Sequence, residues 1–358
     1  MKLAFYAPLK QPNHTVASGD RTMARALIQA LEMAGADVML ASALRTRDGT
    51  GDAALQQKLI AQADTEAQDL IRRGRAEGWR VWVTYHNYYK APDLLGPEVS
   101  YALNIPYIQI ESTRARKRLD GPWDTFARKA EAAADAADLI FYLTTRDAIA
   151  LKRDAPANQI LRHLKPFLRR HILPIQTSRK DTILSVGMMR DGDKEASYAL
   201  IAETLTLIKS ANWHLNIAGD GPARDKIERM FAAFGEQVTF LGALEAAALE
   251  TVYQNAGILF WPGVNEAFGL TYLEAQAYGV PVLAQNRPGV CDVLAPGYYP
   301  DPDIGARGLA QQLAALLGSA AKRRTLGFQA RDYIAEGHLI PRAAETLRSG
   351  LADLGVSI

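Results

Sequence analysis

One cysteine stands among 358 residues, so with Cys291 alone neither an intrachain disulfide nor a cysteine-based zinc cluster can form. An excess of one charge is missing as well. Lys and Arg number 41 against 39 Asp and Glu, a formal +2, and the strong basic excess of a nucleic-acid-binding surface is absent, so no nucleic-acid partner is expected. No run of about 18 or more apolar residues continues unbroken, which argues against a membrane span. The opening Met1-Lys-Leu-Ala-Phe-Tyr-Ala meets Pro8 before a signal peptide could develop, and a cytoplasmic location is expected. Internal repeats and low-complexity segments are lacking too, the alanine-rich 131–137 reading as helix. Nor does a Gly-x-Gly-x-x-Gly follow the first strand, where Tyr6-Ala-Pro-Leu-Lys-Gln-Pro stands, and this speaks against a dinucleotide-dependent oxidoreductase.

What is present is ample apolar material. With 48% hydrophobic and 22% charged residues, the chain can bury two cores of ordinary size. Short β-type runs alternate with helical patterns: Leu3–Ala7, a helix near Arg21–Ala34, Val38–Ala41, a helix through Leu55–Arg73, Val81–Thr84, Tyr107–Ile110, a helix near Phe126–Ala136, then Leu139–Leu143. The series restarts after a polar stretch containing Arg169-Arg170-His171, Pro174 and Ser178-Arg179-Lys180. It continues through Ile183–Val186, Ser197–Lys209, Leu215–Ala218, Arg224–Phe234, Val238–Leu241, Ala246–Gln254 and Ile258–Trp261. Such alternation predicts α/β architecture, two Rossmann-like doubly wound domains built from βαβ units. The expected divisions are 1–175, 176–338 and a terminal helix over 339–358 that packs back on the first domain. Leu309–Leu317, Lys322–Ala335 and Pro341–Leu354 read as the closing helices, with Leu347, Leu351 and Leu354 on one face. Ligands of open α/β sheets bind beyond the carboxyl ends of the strands, so a cleft between two such domains is the expected site.

The segment richest in chemistry is Glu266-Ala-Phe-Gly-Leu-Thr-Tyr-Leu-Glu274. The apolar run Ile258-Leu-Phe-Trp261 reads as a buried strand, Pro262 and Gly263 end it, and Leu270, Leu273 and Ala277 mark a helix face. Glu266 then falls in the strand-to-helix loop, while Phe268, Gly269 and Leu270 offer first-turn N–H groups to an anion. At roughly 1.5 Å rise per residue Glu274 lies about 10–12 Å further on, the span of a sugar, a diphosphate and a ribose. A dipole-compensating Glu before a helix and a solvated Glu within it form the plain alternative. Two more strand-end loops carry matching chemistry. Gly187-Met-Met-Arg190-Asp-Gly-Asp-Lys194 places two cations where a diphosphate could be neutralised, and Gly219-Asp-Gly221-Pro222 brings backbone close to a ligand.

The order Gly187, Arg190, Lys194, then Gly219-Asp-Gly221-Pro222, then Phe240-Leu-Gly242, then Glu266-x7-Glu274 resembles the retaining glycosyltransferases of family 4, which have the GT-B fold. The resemblance covers the second half well and the first half mainly by topology. It implies a hexosyltransferase-type enzyme that moves a sugar from a nucleoside-diphosphate sugar to an acceptor without a metal or other cofactor. It implies further that Glu266 contacts the donor sugar and that Glu274 holds the ribose. By the same likeness the backbone of Phe268, Gly269 and Leu270 meets sugar and phosphate, and Arg190 and Lys194 stabilise the departing diphosphate.

The first domain is then the acceptor side, and the pattern departs there from the family. Ser18-Gly19-Asp20-Arg21 stands where relatives carry a glycine loop near the phosphates, which makes Gly19 and Arg21 donor-binding candidates. His86 emerges at a strand end and is a catalytic candidate. Glu111 occupies the place where relatives frequently show a histidine, and Arg287-Pro-Gly289-Val-Cys-Asp292 has one glycine where many carry two. Asp191-Gly-Asp193 and Asp301-Pro-Asp303 have the spacing of a metal-diphosphate motif, but Arg190 and Lys194 would compete with a cation at the first. The run Arg114-Ala-Arg116-Lys117-Arg118 is either a solvated loop or a contact for an anionic membrane surface or lipid-linked acceptor. Glycan, lipid-linked and small-molecule acceptors all remain open, and so does a non-catalytic nucleotide-sugar or glycan-binding homologue. Donor base, sugar, acceptor and oligomeric state are not encoded in these motifs.

Overall fold

The computed structural model describes residues 1–15, 18–175, 182–209 and 212–356. The chain divides into two compact units, one formed by Met1–Lys165 with Ile340–Ile358 and the other by Pro166–Leu339. Ser178, Arg179 and Lys180 of the expected linker lie outside the described residues. The division falls at Lys165/Pro166 because the next residues are tied to the end of the second unit. Leu168 N–H donates to the His338 carbonyl at 2.9 Å, and Leu168 bridges Leu339 in parallel.

The first unit holds six parallel strands: β1 (Lys2–Tyr6), β2 (Asp37–Leu40), β3 (Val81–Asn87), β4 (Tyr107–Ser112), β5 (Leu139–Tyr142) and β6 (Ile160–His163). Their order is β2-β1-β3-β4-β5-β6, with Leu3 opposite Val81 and Ile108 opposite Leu139. Helices α1 (Gly19–Ala34), α2 (Ala53–Glu77), α3 (Gly96–Leu103), α4 (Asp124–Ala136) and α5 (Thr145–Asp154) connect them. Strands covered on both faces must be apolar throughout, and β1 is buried from Leu3 to Tyr6 for that reason. Side-chain caps fix where helices begin: Ser18 accepts from Arg21 N, Asp52 from Ala54 N and Leu55 N, and Thr144 from Asp147 N. The alternation misses α3, α5 and β6. The last of these is short and only half-buried, so it lacks the apolar signature of an inner strand.

The second unit holds β7 (Thr182–Val186), β8 (Leu215–Ala218), β9 (Val238–Gly242), β10 (Ala256–Phe260) and β11 (Val282–Leu283), all parallel in the order β11-β10-β7-β8-β9. Between them run α6 (Asp193–Thr206), α7 (Arg224–Phe231), α8 (Ala246–Asn255) and α9 (Leu270–Ala277), followed by α10 (Gly305–Leu317) and α11 (Ala320–Gly337). The closing helix, α12 (Ile340–Asp353), belongs to the first unit, where it packs against α1. It buries Leu347 and Leu351 and leaves Leu354 half-buried, and Gly350 lets it lie against Phe141.

Strand order locates the sites. In the second unit the chain reverses direction across the sheet between β7 and β10, and in the first between β1 and β3. The loops beyond the carboxyl ends of strands at such a reversal splay apart and leave a crevice.

Candidate functional site

The crevice of the second unit lies between the loop after β7 and the loop after β10. The β10 loop carries Glu266, whose Oε1 pairs with Lys194 Nζ on the first turn of α6 and accepts the Trp261 indole N–H at 3.0 Å. Lys194 Nζ also lies 5.2 Å from the centre of the Trp261 ring, so the indole face and the carboxylate hold the ammonium together. Both charged side chains are mostly buried, at 17% and 14% exposure. Trp261 in turn packs edge-on against Tyr198, whose hydroxyl donates to the Gly187 carbonyl at 2.7 Å.

Backbone approach explains the glycines. Gly219 (φ +149) sits so close to the β7 loop that a Cβ would fall 1.8 Å from the Gly187 carbonyl oxygen. Gly289 (φ +85) meets Ala267 in the same way, at 1.9 Å. Gly187 is crowded by the Trp261 ring and Gly221 by the Met189 carbonyl. Hydrogen bonds stitch these loops together: Gly187 N–H to Ala218 O at 3.0 Å, Met189 N–H to Asp220 O at 2.9 Å, and Gly219 N–H to Gly242 O at 2.8 Å. Arg190 is exposed and forms no ion pair among the described residues, which leaves its charge to solvent or a ligand.

At α9 the structure corrects the expected amide set. Gly269 takes φ +83 and caps the helix from outside, so the first-turn amides belong to Leu270, Thr271 and Tyr272 rather than to Phe268, Gly269 and Leu270. No side chain caps this end. Phe268, before the cap, is buried. Further along α9 the Glu274 carboxylate accepts the Tyr253 hydroxyl at 2.8 Å, and burial raises its pKa despite that bond.

In the first unit the reversal between β1 and β3 gathers Asp20, His86 and Glu111. His86 Nδ1 stands 3.5 Å from Asp20 Oδ1 and 4.0 Å from Glu111 Oε2, both beyond a good hydrogen bond. His86 Nδ1 and Glu111 Oε2 are buried without a hydrogen-bond partner among the described residues. His86 and Glu111 also take positive φ, +70° and +59°, which L side chains adopt only under constraint. Burial pushes the Glu111 carboxyl up to about 7, the nearby His86 opposing and Asp20 and Asp147 assisting. For His86 burial pulls downward, but Glu111 and Asp20 outweigh it and the imidazole pKa is raised.

Placement of the remaining candidates is mixed. Of the stretch 18–21 it is Asp20 that reaches His86. Gly19 has open space around it, and the Arg21 guanidinium donates to the His14 and Thr15 carbonyls at 2.8 and 3.1 Å, a loop-holding task. The aspartate pairs are occupied individually, Asp193 by Asn265 and Asp301 by Asn286. Among the described residues no group of three His, Cys, Asp or Glu could hold a metal ion. The basic run splits: Arg114 is buried in ion pairs with Glu131 (3.0 Å) and Asp135 (2.6 Å), Arg116 pairs with Asp154 (3.3 Å), and Arg118 lies over aromatic rings. Sequence reasoning missed Trp261 and Tyr253 as site residues. Their signal is the polar edge, since a buried indole N–H or phenol hydroxyl needs a partner.

Residues 174–333, under half of the chain and nearly all of the second unit, match the family of glycosyl transferases group 1. A GDP-mannose-dependent alpha-mannosyltransferase of Mycolicibacterium smegmatis is 35% identical over 34% of this chain and 31% of its own length. The sulfoquinovosyl transferase SQD2 of Arabidopsis thaliana is 31% identical over 26% of this chain and 19% of its own. The matched part thus spans about a third or less of each of these relatives. Among solved structures, a sucrose-phosphate synthase from Thermosynechococcus elongatus superposes with TM-score 0.75 over 99% of both chains at 19% identity. HepE of Anabaena, in complex with UDP and glucose, gives 0.72 over 99% of this chain and 100% of its own at 15%. At these identities the likeness shows the fold, which is GT-B with two Rossmann-like units. Among the described residues no helix is long and apolar enough to cross a membrane.

Proposed function

We propose that the protein is a retaining, metal-independent glycosyltransferase of family 4 type that moves a hexosyl group from a nucleoside-diphosphate sugar to an acceptor. The observation that carries this reading is the Lys194, Glu266 and Trp261 cluster at the strand-order reversal of the second unit, beside backbone loops packed too closely for any Cβ. The two described partners of Glu266 converge on Oε1. In this reading Oε2 takes a donor-sugar hydroxyl. Lys194, Arg190 and the Leu270 and Thr271 amides at the start of α9 supply positive charge for the diphosphate, the Tyr272 N–H being bonded to the Gly269 carbonyl. Glu274, held by Tyr253, takes the ribose hydroxyls.

Breaking the anomeric C–O bond sends the electron pair onto the diphosphate, and the sugar gains oxocarbenium character. Preplaced cations and N–H donors stabilise the leaving oxyanion more than the ground state, which lowers the barrier. The leaving phosphate oxygen then accepts the acceptor's hydroxyl proton on the same face while the acceptor oxygen bonds the anomeric carbon, and configuration is retained. A panel of nucleotide sugars, followed by nucleotide release with and without acceptor, tests the reading. Binding with neither transfer nor hydrolysis would overturn it in favour of a non-catalytic binder, and turnover abolished by EDTA would overturn metal independence.

A further inference from the structure

The first unit carries an aromatic track that the donor chemistry leaves unused. It begins at His86, whose ring centre lies 4.9 Å from that of Tyr88, continues to Tyr89 at 5.6 Å, and ends on Trp123, perpendicular to Tyr89 at 5.7 Å. Two cations sit over its far end. The Arg118 guanidinium carbon is 5.0 Å from the Tyr89 ring centre and 5.8 Å from that of Trp123, and Lys90 Nζ is 5.8 and 5.1 Å from the same two rings. Among the described residues neither cation has an ion-pair partner, whereas Arg114 and Arg116 of the same basic run are both paired. Arg45 and Arg47 add positive charge beside Tyr88.

Each part has a distinct affinity. A cation resting on a ring face is held in place but not neutralised, so its outward side can take an oxyanion at little reorganisation cost. Tyrosine and tryptophan offer flat apolar area with a polar edge, suited to the C–H face of a pyranose. At the near end, His86 Nδ1 and Glu111 Oε2 are buried polar atoms spaced too far apart to satisfy one another, a gap that a ligand hydroxyl fills. Hydroxyls at one end, an apolar ring face in the middle and a negative charge at the other describe one ligand class.

We infer that the track from His86 to Trp123, with Lys90 and Arg118, is an acceptor subsite for a saccharide carrying a phosphate or carboxylate group. The inference rests on the glycosyltransferase reading for the word acceptor, while the binding chemistry stands apart from it. The nearer alternative source of the same oxyanion is a phospholipid headgroup, which offers the charge without the hydroxyl-bearing ring.

Calorimetric titration of the full chain with D-glucose 6-phosphate, D-glucuronate and D-glucose tests the inference, with sedimentation on phosphatidylcholine vesicles with and without phosphatidylglycerol alongside. The expected result is saturable binding of the charged sugars at least about 10-fold tighter than glucose, lost by about that factor in Arg118→Ala and in Lys90→Ala. Arg118→Lys is expected to fall between, because it keeps charge and loses the planar stack. Arg72→Ala, an exposed arginine on α2, serves as the control. Equal affinity for charged and neutral sugars, or equal behaviour of the Arg118 and Arg72 variants, would overturn the inference. So would Arg118-dependent binding to anionic vesicles with none to the sugars. Nucleotide-sugar binding measured on the same sample separates the two claims: charged-sugar binding without it keeps the subsite and removes the glycosyltransferase reading, and the reverse removes only the subsite.

Discussion

Lys194 on the first turn of α6 and Glu266 in the loop after β10 form an ion pair across 72 positions of sequence, sharing Trp261 as a common neighbour. The pair joins the two loops that flank the strand-order reversal. It costs desolvation to bury, and it holds each group in one orientation before any ligand arrives. Fixed charges of this kind stabilise a transition state without reorganising at the moment of reaction.

On the proposed reading Glu266→Ala lowers kcat by about 100-fold or more, since it would remove a sugar contact and it frees Lys194 from its place. On the same reading Glu274→Ala should act mainly on donor affinity, by about 10-fold, because its carboxylate would serve a part of the donor that does not react. Steady-state kinetics over a range of donor concentrations separates the two effects. Equal losses of kcat at unchanged KM would contradict these roles.

Trp261→Phe removes the indole N–H together with the outer ring that lies against Gly187. An aromatic ring remains beside Tyr198 and Lys194, while the 3.0 Å bond to Glu266 is lost. Stability should fall by about 2 kcal/mol, since part of a fully buried side chain is deleted along with the bond. Turnover is expected to fall by about 10-fold, because Glu266 keeps its charge and loses one of two restraints. Urea unfolding beside kcat reads both quantities on one sample.

Much of this arrangement was legible in the amino-acid order. Strands of the second unit announce themselves by apolar runs such as Ile258-Leu-Phe-Trp, and Glu266, Lys194 and Gly219 follow as residues just beyond strand ends. Trp261 was hidden because the same run that marks the strand makes its last residue look like core. Asp20 was hidden beside Arg21 for a different reason: which side chain of a helix's first turn faces a neighbouring strand depends on tertiary geometry, and the resemblance to a phosphate-side glycine loop pointed to Gly19 and Arg21. Positive φ at Glu111 has no sequence signature and at His86 only a weak one, histidine entering the left-handed region more often than most side chains.

Glycine substitutions separate backbone crowding from backbone conformation. Gly219→Ala puts a methyl group onto the Gly187 carbonyl and should cost more than about 2 kcal/mol, with loss of donor binding. Gly78, also at positive φ but with nothing near its would-be Cβ, should cost only about 1 kcal/mol as Ala. Gly19→Ala meets open space in a helical first turn and is expected to be neutral or slightly stabilising. Thermal midpoints of the three variants should rank in that order.

Acid titration of the first unit should carry the mark of Glu111. Burial, with Asp20 and Asp147 nearby, raises this carboxyl from 4.5 to about 7, against the opposing pull of His86 and the Tyr85 hydrogen bond. A folded-state pKa above the unfolded one means that the folded chain binds the extra proton. The stabilisation is fully present below the unfolded value and is lost as pH rises through about 7. His86 adds to the same trend, because its raised pKa favours the charged imidazole in the folded state until pH climbs past it. Glu111→Gln removes the first contribution and, by deleting a neighbouring negative charge, lowers the His86 pKa. The stability of the variant should thus depend less on pH between about 5 and 7, and the His86 imidazole resonance should titrate at lower pH than in the wild type. An unchanged His86 titration in Glu111→Gln would mean that the two groups, 4.0 Å apart, do not sense one another, and the electrostatic account of this cluster would fail.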